Sequence, residues 1–131
     1  MKNRAILNPQ ISAAIAKLGH TEYFVIADAG LPIPANVELI DLSLTRGIPR
    51  FIDVVRAVAE ELVVESCIYA SELPEQNEEV FTELELSLRD LPKESVSHEE
   101  FKNLVKSSRV VIRTGECSPY SNVILVGGVN F

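Results

Sequence analysis

Tyr23-Phe24-Val25-Ile26-Ala27 is an unbroken apolar run of strand type. Successive side chains of a strand point to opposite faces, so a run that is apolar throughout needs cover on both. That requirement points to a sheet with helices packed on either side. The run also fixes the separation of two polar positions. His20 stands in Leu18-Gly19-His20-Thr21 at the mouth of one strand end, and Asp28 opens the Gly/Pro loop Asp28–Pro34 at the other.

The rest of the chain alternates in the same way. Ile11, Ile15 and Leu18 recur at helical spacing, and Gly19 is placed to close that helix as a C-terminal cap. Val37–Leu44 alternates apolar and polar residues, which predicts a strand broken by Gly47 and Pro49. Ile52, Val55, Val58 or Ala59, and Leu62 give a second helix its buried stripe, and Val63–Ala70 follows as a strand. Pro74 suits the first turn of a helix whose apolar side is Val80, Phe81, Leu84 and Leu88, with Leu91-Pro92 as its end. Ser97 and Glu100 have the spacing of a capping box and open a short helix with Phe101, Leu104 and Val105 inward. Arg109–Ile112 and Val123–Val126 are the last strands, separated by the loop Thr114–Asn122. Strands alternating with helices predict an α/β fold: one three-layer domain over 1–131, with a largely parallel or mixed sheet. Ligands of such sheets gather beyond the carboxyl ends of strands, which directs attention to the loops after Ala27 and Ile112.

Composition narrows the function classes. A net charge of −7, with 12 Lys and Arg spread along the chain, argues against a nucleic-acid partner. The acidity is concentrated in Glu72–Glu85, which reads as a solvated helix face. No apolar run approaches the ~18 residues of a membrane span, and no hydrophobic leader follows Met1, so a cytoplasmic protein without membrane insertion is expected. Cys67 and Cys117 lie far apart, which speaks against a disulfide framework or a zinc site. A mean hydropathy of +0.15 is high for a chain this charged and points to apolar surface buried between subunits.

The candidate chemistry is sparse. His20 and His98 are the 2 histidines of the chain, and imidazole is the side chain best matched to proton transfer near neutral pH. His20 reads equally as a partner for helix carbonyls, Asp28 as a turn former, and His98 as an occupant of a helix's first turn. The loop Arg113–Asn122 offers a guanidinium, a carboxylate, hydroxyls, a phenol and a carboxamide, groups that suit a polyol as well as an ordinary polar loop. GxSxG, Walker A, GxGxxG and HExxH patterns are absent. On these residues alone the chain is an α/β domain compatible with a small acid–base enzyme.

Several of these stretches, taken in order, carry a resemblance. Leu18–Thr21, Asp28–Pro34, Ile40-Asp41-Leu42, Ser97–Lys102, Ile112–Glu116 with Pro119–Asn122, and the closing Gly128–Phe131 resemble the sugar-mutarotase family of ribose pyranases and L-fucose mutarotases. The likeness runs over effectively the whole chain. It implies an α/β fold assembled into a ring-shaped homo-oligomer, an octamer or decamer, with active sites between neighbouring subunits. It implies interconversion of the pyranose and furanose forms of D-ribose, a functional link to a ribose transporter and to ribokinase, and no cofactor or metal. By motif position it implies His20 as the acid/base residue, with Asp28, His98, Tyr120, Ser121 and Asn122 as sugar contacts. Ser121 stands where the family commonly has alanine. Gly30 with Leu31-Pro32 resembles the ribose branch. Rival readings are a mutarotase for another free monosaccharide such as L-fucose, a sugar-binding protein without turnover, and a structural ring-forming protein.

Overall fold

Phe24, Val25, Ile26 and Ala27 are wholly buried in the computed structural model, which describes residues 1–131. Their strand β1 (Tyr23–Ala27) lies inside a sheet completed by β2 (Glu38–Asp41), β3 (Val64–Ala70), β4 (Lys93–Val96), β5 (Val110–Arg113) and β6 (Val123–Gly127). The strands lie in the order β2-β5-β1-β6-β3-β4. β1 and β2 each pair in parallel with β5, and β3 with β4. β6 is antiparallel to both of its neighbours, β1 and β3. The sheet is therefore mixed. The carboxyl ends of β1–β5 and the amino end of β6 form one rim, while the other rim collects the opposite ends.

Alternation along each strand divides the core into two. Phe24, Ile26, Val110, Ile112, Val123 and Leu125 face the helices α1 (Pro9–Lys17), α2 (Phe51–Glu61), α3 (Leu73–Gln76) and α4 (Glu78–Ser87). Phe51, Ile52, Val55 and Val58 of α2 supply much of that layer. Val25, Ala27, Val111, Ile124 and Val126 face the other way, toward Phe101 and Val105 of α5 (His98–Val105) and toward Leu31 and Val37. Burying each such side chain stabilises the fold by roughly 1.5–3 kcal/mol, so the apolar run of β1 is satisfied only with both layers in place. Burial also pushes the Cys67 thiol up to about 11, which keeps it protonated and inert. No helix is long and apolar enough to cross a membrane.

Four local expectations are corrected. Helix α1 stops at Lys17 with Leu18 as its cap, so Gly19 does not close it in a left-handed conformation. The left-handed residue of this turn is Thr21 (φ 70), whose N–H donates to the Gly127 carbonyl at 2.8 Å. The strand expected over 37–44 is shorter, because the Asp41 carboxylate captures the Ser43 N–H at 2.9 Å and turns the chain. The helix expected from Pro74 to Leu88 is two helices, interrupted at Asn77 (φ −154, ψ 64). Lys93–Val96, assigned to no element from sequence, is the edge strand β4; none of its residues is buried, so it lacks an apolar signature. The Ser97 cap is present as expected, its hydroxyl accepting from the Glu100 N–H at 3.1 Å.

Gly115 follows β5 and threads beneath the turn at 45–48, its N–H donating to the Pro49 carbonyl at 2.9 Å. A Cβ at this position would collide with the carbonyl oxygens of Ile48 and Thr45. Gly115→Ala is therefore expected to cost about 1–3 kcal/mol of unfolding free energy in a urea titration. In Gly30→Ala the added Cβ would meet only Asp28 Oδ1 at 3.8 Å. That change is expected to stay within about 1 kcal/mol. Equal effects of the two substitutions would show that the 45–48 turn yields freely.

Candidate active site

The strand ends bring Asp28 and Asn122 together from positions 94 apart in sequence. Asp28 follows β1, and Asn122 immediately precedes β6 on the adjoining end. The Asp28 main-chain N–H donates to Asn122 Oδ1 at 2.8 Å, and Asn122 Nδ2 donates back to Asp28 Oδ2 at 3.1 Å. Asp28 Oδ1 accepts from the Gly30 N–H at 3.0 Å, which closes the head of the Gly/Pro loop. Burial raises the Asp28 carboxyl above its ordinary value, opposed by the hydrogen bonds from Gly30, Asn122 and Leu31. Asn122 is fully buried, and its amide is oriented by these two contacts with Asp28.

His98 and Tyr120 stand at the same rim. The His98 ring meets Tyr120 edge-on at a centroid distance of 5.1 Å. It lies nearly parallel to Phe101 at 6.5 Å. The His98 main-chain N–H donates to both carboxylate oxygens of Glu72, at 3.0 and 3.1 Å, fixing the start of α5 against the end of β3. His98 Nδ1 is buried without a hydrogen-bond partner. Buried polar atoms are rarely left so, and Arg113 Nε is in the same state.

Tyr120 itself adopts the left-handed region (φ 58), an uncommon choice for a residue with a bulky side chain. The Asn122 N–H donates to the Tyr120 carbonyl at 2.9 Å and tightens the turn. Ser121 is fully buried, and its hydroxyl is engaged within the loop by Ser118 and Asn77. Other members of the polar loop also serve the protein itself. Glu116 Oε1 accepts from the Phe51 N–H at the first turn of α2, and Oε2 accepts from the Ser118 hydroxyl at 2.8 Å. Arg113 turns to Asp41 at 2.8 Å.

His20 is elsewhere. It is exposed on the opposite rim, its Nε2 2.9 Å from Glu65 Oε2 near the start of β3. It borders a groove of about 430 Å³ together with Leu62, Val63, Gly128, Val129 and Phe131. The five residues of β1 lie between His20 and Asp28, a span of about 17 Å at ~3.3–3.4 Å per strand residue. One chain thus unites Asp28, His98, Tyr120, Ser121 and Asn122, and keeps His20 apart from them. Proton transfer requires contact at hydrogen-bond distance, which no side-chain rotation supplies across that span.

Sequence reasoning did not pick out Asn77, Glu72 or Glu65. Glu72 sits in the acidic stretch that reads as solvated, and Glu65 reaches His20 only through the pairing of β3 with β6. Asn77 left one usable signal, since asparagine is a poor helix-interior residue and competes for backbone bonds.

Known proteins align with this fold and rim from end to end. A D-ribose pyranase of Exiguobacterium sibiricum is 53% identical over 131 residues, covering all of both chains. A D-ribose pyranase of Actinobacillus succinogenes is 50% identical over 139 residues, again covering all of both. The structure of Bacillus subtilis RbsD complexed with D-ribose superposes with a TM-score of 0.96 at 49% identity over 100% of each chain. A fucose mutarotase of Streptococcus pneumoniae, solved with L-fucose, shares the fold at a TM-score of 0.82 and 18% identity over 95% of each chain. The RbsD / FucU transport protein family matches residues 1–130. With that coverage, and with the polar rim built from the stretches that first suggested kinship, the chain belongs to the RbsD / FucU family.

Proposed function

We propose that this chain is a D-ribose pyranase, an isomerase that interconverts the pyranose and furanose forms of free D-ribose. Relatives of that name, about half identical over their whole length, support the activity. The B. subtilis relative solved with D-ribose supports the substrate. The observation that carries the reading is the preset cluster of Asp28, His98, Tyr120 and Asn122 at one rim of the sheet. The whole chain, 1–131, acts as one domain in a cytoplasmic protein, and its furanose product is the form that ribokinase phosphorylates after ribose enters through its transporter.

The reaction needs only protons moved at the right atoms. Removal of the proton from the anomeric hydroxyl and protonation of the ring oxygen break the bond between C1 and that oxygen, giving the open-chain aldehyde. Attack on C1 by the other of the C4 and C5 hydroxyls, with its proton lost and the carbonyl oxygen protonated, closes the alternative ring. Protons balance over the cycle, so no cofactor is consumed. In this reading His20 is the acid/base group, a role worth roughly 10²–10⁴-fold in rate. Asp28, His98, Tyr120 and Asn122 hold the sugar, and Ser121 contributes through its main chain because its hydroxyl is engaged within the loop.

The span of β1 then dictates assembly. A pocket containing both His20 and the Asp28–Asn122 rim requires His20 from a neighbouring copy. Contacts repeated from one copy to the next close into a ring when the rotation allows, which matches the family expectation of a ring-shaped homo-oligomer. Exposed apolar side chains bordering His20, Val63 at 41% and Val129 at 42%, supply surface for such a contact.

His20→Ala is expected to slow pyranose–furanose exchange, followed by saturation-transfer NMR on ribose, by at least ~10²-fold with the fold intact. Exchange at the unaltered rate would remove His20 from the mechanism. Asn122→Ala is expected to weaken ribose binding in calorimetry by about 1–3 kcal/mol, the cost of leaving buried polar groups unpaired. Unchanged affinity would place Asn122 outside the pocket.

A further inference from the structure

Asn77 touches none of the groups that face the sugar, yet it is tied to the turn that carries two of them. It sits at the break between α3 and α4, where its backbone (φ −154, ψ 64) is neither helical nor extended. Its Nδ2 lies 2.8 Å from the Pro119 carbonyl, 3.0 Å from Ser118 Oγ and 3.1 Å from Ser121 Oγ. Two amide hydrogens are thus shared among three oxygens of one turn. The hydroxyls accept without conflict, because Ser118 passes its own hydrogen to Glu116 Oε2 at 2.8 Å and Ser121 donates to Ser118 Oγ at 2.8 Å. Glu116 in turn is anchored on the α2 N-terminus through the Phe51 N–H. The turn is pinned from two helices at once.

What the pinning holds in place is costly to hold otherwise. Tyr120 lies between Pro119 and Ser121, both bonded to Asn77, and carries the left-handed backbone (φ 58). A bulky residue keeps that conformation only where its surroundings over-determine it. Asn122 follows directly and makes the two-way contact with Asp28. Position 77 calls for a hydrogen-bond donor, since all three neighbouring atoms are oxygens. A carboxylate of the same shape would face three oxygens with no hydrogen to offer them.

We infer that Asn77 is a positioning residue for ribose: its amide, through the Ser118–Ser121 turn, sets Tyr120 and Asn122 in the geometry that receives the sugar. The inference rests on the ribose pyranase reading. It assigns Asn77 to substrate binding rather than to proton transfer, because the groups it sets, Tyr120 and Asn122, hold the sugar in that reading while His20 is the acid/base group.

The test is ring exchange measured by NMR over a range of ribose concentrations, with Asn77→Asp as the near-isosteric variant and Asn77→Ser as one that keeps a single donor. Asn77→Asp is expected to raise KM about tenfold, the effect of one lost hydrogen bond of ordinary strength, while kcat changes far less. Asn77→Ser is expected to fall between it and the unaltered protein. Circular dichroism and assembly mass should be retained. An unchanged KM in folded Asn77→Asp would overturn the inference, as would a loss confined to kcat. Unfolding of both variants would place Asn77 in the general framework of the fold and overturn it as well. Absence of ring exchange in the unaltered protein would instead overturn the functional reading, and this inference with it.

Discussion

The direction of one strand decides which polar residues share a rim. β6 runs antiparallel between β1 and β3, strands that share a direction. Its amino end therefore joins their carboxyl ends, and Tyr120, Ser121 and Asn122 arrive beside Asp28. Had β6 run parallel, the same residues would have emerged on the rim that carries His20. Pairing of Phe24 with Leu125 and of Ile26 with Val123 holds this register, and the alternation of these buried side chains resists a slip. A shift by one residue would exchange the two apolar layers.

On that frame the rim carrying Asp28, His98, Tyr120 and Asn122 is held by a continuous set of contacts. The Asp28–Asn122 clasp, the edge-on contact of His98 with Tyr120 and the Asn77–Ser118–Ser121 network are all made by the chain's own groups. Ordering costs met during folding are not charged again on binding, which is how a small polar ligand gains affinity from few contacts. The open valence of His98 Nδ1 and the raised Asp28 carboxyl are the counterpart of that order. Both are unfavourable for the fold taken by itself.

The sequence made much of this legible, for definite reasons. The run at β1, the stripe of α2 and the Ser97 cap each carry a strong periodic or capping signal, and each is found where expected. The separation of His20 from Asp28 was readable from the length of β1 alone. β4 was not readable, because an exposed edge strand is set by backbone pairing with β3 and has no apolar alternation. Gly19 suggested a cap, yet the turn is shaped by Gly127, where a Cβ would sit 2.5 Å from the Gly19 carbonyl oxygen. Nor could spacing join His98 to Tyr120, since their meeting depends on strand order. Catalytic and sugar-binding roles rested on resemblance to a family; composition and periodicity reached only an α/β fold with two histidines.

The central claim is that a working pocket takes His20 from one copy and the Asp28–His98–Asn122 rim from another. It is tested most directly by mixing His20→Ala protein with His98→Ala protein, each inactive alone, after dissociation and reassembly. Native mass spectrometry identifies the mixed assemblies, and NMR of ribose measures their ring exchange. Recovery of exchange is predicted, because some pockets then combine an intact His20 with an intact His98. Mixed assemblies that stay inactive would contradict a pocket shared between chains.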